Sequence, residues 1–203
     1  MSQIALPLER GAAFGPARIV LGAGNAHVAE ALAAPENWPF RTAVLTGPPR
    51  SGKSLFARWF AQNGKGEALD DAHLMDEADA FHRWNRAQEE GRPLLVVGGE
   101  PPWDIALPDL KSRLGAALQL EIGLPGDALA AELLLSLAAE RAMPLGAEAA
   151  AYLVPRVTRS YLQLDRLVEA IDRLSLERKA PPTLAVWRAA LEAVEGPEEP
   201  RLL

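Results

Sequence analysis

TGPPRSGKS, residues 46–54, satisfies Gly-x-x-x-x-Gly-Lys-Ser at every position. The apolar run TAVLT (42–46) leads into it, and Leu55, Phe56, Trp59 and Phe60 follow at helical spacing. Strand, glycine loop and helix in this order form a phosphate cradle. Gly47 and Gly52 let the backbone curl until its amides face phosphate oxygens, at the positive end of the following helix. Pro48, Pro49, Arg50 and Ser51 complete the loop. Lys53 sets an ammonium against the outer phosphates, and the Ser54 hydroxyl is placed to ligate Mg²⁺. ADP or ATP is the expected ligand. A chance match in a turn rich in Gly and Pro would lack the strand before and the helix after.

A second signal lies downstream, in ALDDAH (68–73), where a short apolar run ends in two aspartates. Asp70 is the expected Mg²⁺ partner at the end of a neighbouring strand. Asp71 has two readings: it orients an attacking water, or it is a solvated helix cap. The three histidines, His27, His73 and His82, are scattered without metal-ligand spacing, so no histidine metal site is expected.

Around these motifs the pattern is α/β, then all-helical. Strands are expected at 42–46, roughly 66–70, 93–99 and 116–122, four in all, with the continuous run PLLVVGG reading as a buried parallel strand. A helix over 76–90 is expected to turn Ala78, Phe81 and Trp84 inward. After the LPGD turn at 124–127, with Asp127 as cap, helices are expected near 128–143, 147–155, 159–177 and 183–194. In the third of these, Tyr161, Leu164, Val168, Ile171 and Leu174 form one apolar stripe.

Composition narrows the function classes. The chain has 203 residues, 49% of them hydrophobic, which is enough for a real core. A formal charge of -6 argues against a broad phosphate-binding footprint on nucleic acid, so direct sequence-specific DNA binding is not expected. Without cysteines there are no disulfides or thiolate metal sites. The start, MSQIALPLER, lacks the pattern of a signal peptide, and no apolar run has the length to span a bilayer. A cytoplasmic protein without membrane contact is the expectation.

Three further stretches line up with the phosphate loop and resemble DnaA-type AAA+ ATPase domains. LPDLKSRLG (107–115) resembles the segment carrying a trans-acting arginine finger, with Arg113 at that position. VTRSYLQLDRLVEAIDRL (157–174) resembles a lid helix whose arginine, here Arg159, reads the γ-phosphate. ARIVLGAGNAHVAEAL (17–32) resembles the entry segment against adenine, with Ile19 and Val20 as wall residues. Either arginine alone reads as a surface ion pair; their order and spacing with the loop favour the functional roles. The resemblance implies an α/β P-loop domain over 17–124, a helical lid over 125–196 and a short tail at 197–203.

Within that family the chain looks closest to Hda-like regulatory inactivators of DnaA. QIALPL (3–8) resembles their sliding-clamp-binding peptide, with Gln3, Ile4, Leu6, Pro7 and Leu8 as contacts and residues 1–16 as peptide plus linker. No helix-turn-helix segment is expected after the lid. The implied partners are the initiator DnaA and the DNA polymerase sliding clamp, with a homodimer left open. Two departures stand out. Only sixteen residues separate Lys53 from Asp70, where the family fits another strand and helix. The end of the 93–99 strand, Val97 to Gly99, lacks the polar sensor expected there, so self-hydrolysis should be poor. Three functions are weighed: a regulator presenting Arg113 to initiator-bound ATP, a self-sufficient ATPase that remodels or loads a partner, and a DNA-associated accessory factor of the initiator type, against which the acidic charge counts.

Overall fold

In a computed structural model describing residues 19–196, the chain forms two units. The first, Gly24–Gly123, is built on a sheet of four parallel strands: β1 (Thr42–Thr46), β2 (Glu67–Leu69), β3 (Leu94–Val97) and β4 (Leu118–Glu121). Their order is β2-β3-β1-β4. Thr42 pairs with Leu94 and Leu45 with Val97, while Thr46 pairs with Glu121. The two central strands read TAVLT and LLVV because both of their faces are covered. The edge strand β4, LQLE, keeps one buried side chain in the middle of polar ones, Leu120.

Four helices cover the sheet: α1 (Ala26–Ala33), α2 (Lys53–Gln62), α3 (Glu77–Glu89) and α4 (Pro108–Gly115). Alternation along the strands sends Val44, Leu94 and Val96 to one face, where they join Trp84, Leu110 and Leu114 of α3 and α4. Phe56 and Phe60 of α2 are fully buried, and Phe60 stacks on Trp38 with ring centroids 5.2 Å apart. The inner face of α3 differs from expectation. Ala78 is exposed, Ala80, Trp84 and Ala87 are buried, and Phe81 packs beside them. Ala78 lies in the first turn, where its amide donates to the capping carboxylate of Asp76, and a two-residue offset rotates a helical position by about 200°.

The second unit gathers residues from Leu124 onward together with 19–23. It contains α5 (Asp127–Glu140), α6 (Ala147–Leu153), α7 (Tyr161–Arg178) and α8 (Leu184–Glu195). Its core joins Leu134, Leu153, Leu164, Leu167, Val168, Ile171 and Val186. Leu167 and Ala170 broaden the expected stripe of α7, whereas Leu174 is only partly buried. Helix α5 stops earlier than its apolar pattern suggested, because Met143 precedes a proline and Ala142 already has φ 53°. Pro155 ends α6 in a short 3₁₀ turn, Val154–Arg156. Asp127 is not the cap of α5: Gly126 holds that place, and the Asp127 carboxylate pairs instead with Arg159 at 2.7 Å.

Candidate nucleotide-binding site

A parallel sheet brings the carboxyl ends of all its strands to one edge, where the crevices of such folds lie. Here that edge carries the glycine loop after β1, Asp70 and Asp71 after β2, Gly98 to Glu100 after β3, and Ile122 after β4. The glycine loop is shaped by backbone conformations that side chains resist. Gly47 has φ 150° and Gly52 φ 89°, with Arg50 at φ 63° between them. A Cβ on Gly47 would stand 2.9 Å from that of Ile122, so the loop is pressed against the β4 end. The Gly47 amide donates to the Gly99 carbonyl at 3.3 Å, which ties it to the β3 end as well.

Gly52 is the N-cap residue of α2 and provides no side-chain cap, leaving the first amides of that helix for another acceptor. Lys53 Nζ donates to the carbonyls of Gly47 at 2.8 Å and Pro48 at 3.0 Å, so the ammonium lies folded over the loop. Burial lowers the Lys53 pKa below the usual lysine value, opposed by the carboxylates of Asp71, Glu100 and Asp70. Ser51 is buried, and its Oγ has no hydrogen-bond partner among the described residues. An orphaned hydroxyl, uncapped helix amides and a lysine held at the loop suit a phosphate chain.

The Ser54 hydroxyl donates to Asp70 Oδ1 at 3.2 Å, and the Asp71 amide donates to the same oxygen at 3.1 Å. These hard oxygens, from residues sixteen apart in sequence, are the kind Mg²⁺ takes when waters and phosphates complete its shell. Among the described residues no group of three or more His, Cys, Asp or Glu forms a metal cluster. Asp71 has φ 50° and opens the 3₁₀ turn Ala72–Leu74 without a side-chain cap bond. Its carboxylate raises the Lys53 pKa instead.

One acidic residue escaped the sequence reading. Glu100 stands just past the position searched for a sensor, and its charge acts on Lys53. The signal was present in GGEPP (98–102), an acid directly after a buried strand. The structure also explains the two glycines before it. A Cβ on Gly98 would come within 2.7 Å of the Trp103 ring, and one on Gly99 within 3.0 Å of His73. Trp103 and His73 take up the space that a polar side chain at the β3 end would need.

The other residues singled out in the sequence fall elsewhere. Arg113, in the last turn of α4, is exposed and lies over the rings of Trp84 and Phe81. Arg159 and Asp127 form an exposed ion pair within the second unit. Ile19 is buried and Val20 half-buried. Gln3, Ile4, Leu6, Pro7 and Leu8, like the tail after 196, lie outside the described residues.

No family model and no curated protein matches the sequence. Solved structures do match its fold. Domain III of the Thermotoga maritima replication initiation protein DnaA superposes with a TM-score of 0.72 at 13% identity, covering 88% of this chain and 95% of that one. AMPPCP-bound DnaA from Aquifex aeolicus gives 0.60 at 15% identity, covering 79% of this chain and 67% of that one. The FIGL-1 AAA domain in complex with ADP gives 0.58 at 13% identity, over 88% and 84%. Sequence identities this low speak to architecture alone. With its parallel sheet, glycine loop and paired aspartates, the chain has the P-loop AAA+ fold that DnaA domain III also adopts.

Proposed function

We propose that this protein is a nucleotide-binding regulator of a DnaA-type initiator, acting through Arg113 on ATP held by the initiator. The observation that carries this reading is a division of the chemistry. The phosphate loop is intact, whereas the β3 end offers two glycines covered by Trp103 and His73 where a polar sensor belongs. Binding is thereby separated from turnover. Lys53 and the amides of the loop hold the phosphates, while Ser54 and Asp70 hold Mg²⁺, which neutralises phosphate charge when bound. The roles proposed for Ile19 and Val20 toward the base, and for Arg159 toward the γ-phosphate, come from the sequence resemblance alone. Arg113 is exposed and lies over Trp84 and Phe81, which suits a group serving another molecule's nucleotide. Trans-acting arginines of this kind supply about 10³–10⁵ in rate in GTPases. Gln3 to Leu8 anchor the protein on the sliding clamp, which concentrates it beside the initiator.

The test measures ATP hydrolysis by the initiator with clamp-loaded DNA. Wild-type protein accelerates it, and Arg113→Ala abolishes the acceleration while keeping its fold and its own nucleotide affinity. Equal stimulation by the variant would reduce Arg113 to a surface residue.

A second reading, a self-sufficient ATPase, is favoured by Glu100 and Asp71, two carboxylates that act on Lys53 and are available to orient a water. Steady-state turnover by the protein alone, lost in Asp71→Asn or Glu100→Gln, would select it over the regulator.

A further inference from the structure

Arg113 lies over two aromatic rings. Its Cζ lies 4.4 Å from the ring centroid of Trp84 and 5.5 Å from that of Phe81. The two aromatics are three residues apart on α3, so they present neighbouring rings on one side of that helix. Trp84 is 6% exposed and belongs to the core, which makes the surface under the guanidinium rigid. The arginine is fixed from its own side too, because Leu110 and Leu114, buried to 1% and 3% exposure, anchor α4 around it. The Glu77 carboxylate accepts from the amides of Ala106 and Leu107, pinning the start of α4 to the start of α3.

A guanidinium held over aromatic rings in this way is placed without spending its donors. Among the described residues the Arg113 side chain makes no hydrogen bond or ion pair; its backbone carbonyl accepts from the Ala116 amide. All five N–H groups of its planar fork therefore remain for a bidentate oxyanion. Lysine could not substitute: it has neither a face to stack nor a fork to present.

We infer that Phe81 and Trp84 form an aromatic platform that positions Arg113, edge outward, for a phosphoryl oxyanion on a second protein. The inference rests on the regulatory reading above and adds two positioning residues to it. A cation over an exposed aromatic face contributes about a two- to fivefold factor in an equilibrium or rate.

The experiment uses the full chain with an ATP-loaded DnaA-type initiator and clamp-loaded DNA, titrating wild type, Phe81→Leu, Phe81→Tyr, Trp84→Phe, Arg113→Lys and Arg113→Ala. Phe81→Leu is expected to lower maximal stimulation about two- to fivefold, with half-saturating concentration and melting temperature unchanged. Phe81→Tyr keeps the ring and should restore wild-type stimulation. Trp84→Phe, conservative in the core, should fall between the two, and Arg113→Lys should behave like Arg113→Ala. If Phe81→Leu and Trp84→Phe stimulate fully while Arg113→Ala does not, the platform is overturned and the regulatory reading stands. If Arg113→Ala also stimulates fully, both fail. A loss of stimulation that tracks a fall in melting temperature assigns the aromatics to packing alone and overturns the platform as well.

Discussion

Lys53 is the residue on which most of the proposed chemistry converges. Its ammonium already bonds two carbonyls of the loop, and three carboxylates face it. Lys53→Ala should abolish ADP binding in calorimetry; unchanged affinity would mean the loop holds something other than phosphate. The same titration should show ADP binding at least as tightly as ATP, because no polar side chain at the β3 end rewards a γ-phosphate. Its pH dependence has a definite sign. The free-protein Lys53 pKa is lowered by burial, so affinity should be flat while the ammonium is intact. Above that lowered pKa, binding must first restore the proton. Affinity then falls by up to about tenfold per pH unit. A curve flat through the usual lysine range would show that the charge on Lys53 does not matter for binding.

Among the elements, α3 carries both the aromatic platform and a well-formed start. The Asp76 carboxylate accepts from the amides of Ala78 and Asp79 at 2.9 and 3.2 Å, satisfying two donors that the helix cannot satisfy itself. Asp76→Ala should cost about 1 kcal/mol in chemical denaturation. Asp76→Ser should recover most of that loss, since a hydroxyl caps in the same geometry; no difference between the two variants would put the effect elsewhere. This helix also shows how far periodicity can be read. Its range was legible within a residue at each end, because a cap and an amphipathic pattern are local. On its inner face Phe81 and Trp84 are placed as expected and only Ala78 is not, because Ala78 and Ala80 are equally apolar and the position of the sheet chooses between them.

At the scale of the whole molecule, the proposed regulator needs three separate capacities: a nucleotide site, an outward arginine and an anchor. The anchor is the most separable. On the proposed reading Gln3 is to supply amide hydrogen bonds to the clamp and Ile4, Leu6 and Leu8 apolar area, while a proline restricts the residue before it to extended backbone and so reduces the ordering cost of docking. Two or three such side chains, at about 1.5–3 kcal/mol each before entropy costs, are consistent with roughly micromolar affinity for one clamp site. Deleting residues 1–8 should abolish clamp binding in a sedimentation or surface-binding assay, with melting temperature and ADP affinity unchanged. A large drop in melting temperature, with no clamp affinity in the intact chain, would make the segment part of the fold.

What the sequence determined by itself was everything set within a few turns of chain. The glycine loop between strand and helix, the four strands and the helical second half all follow from spacing, capping and backbone preferences, which act locally. Tertiary structure decided which distant groups meet. Strand order brought Asp70 to Ser54 and Glu100 to the field of Lys53. Side-chain volume put Trp103 and His73 over the two glycines at the β3 end, turning an odd absence in the sequence into a packed surface. The docking of α4 on α3 laid Arg113 across Trp84. Residue type and spacing mark an arginine as a candidate; its aromatic platform exists only because two helices, far apart in sequence, bury their apolar faces against the same sheet.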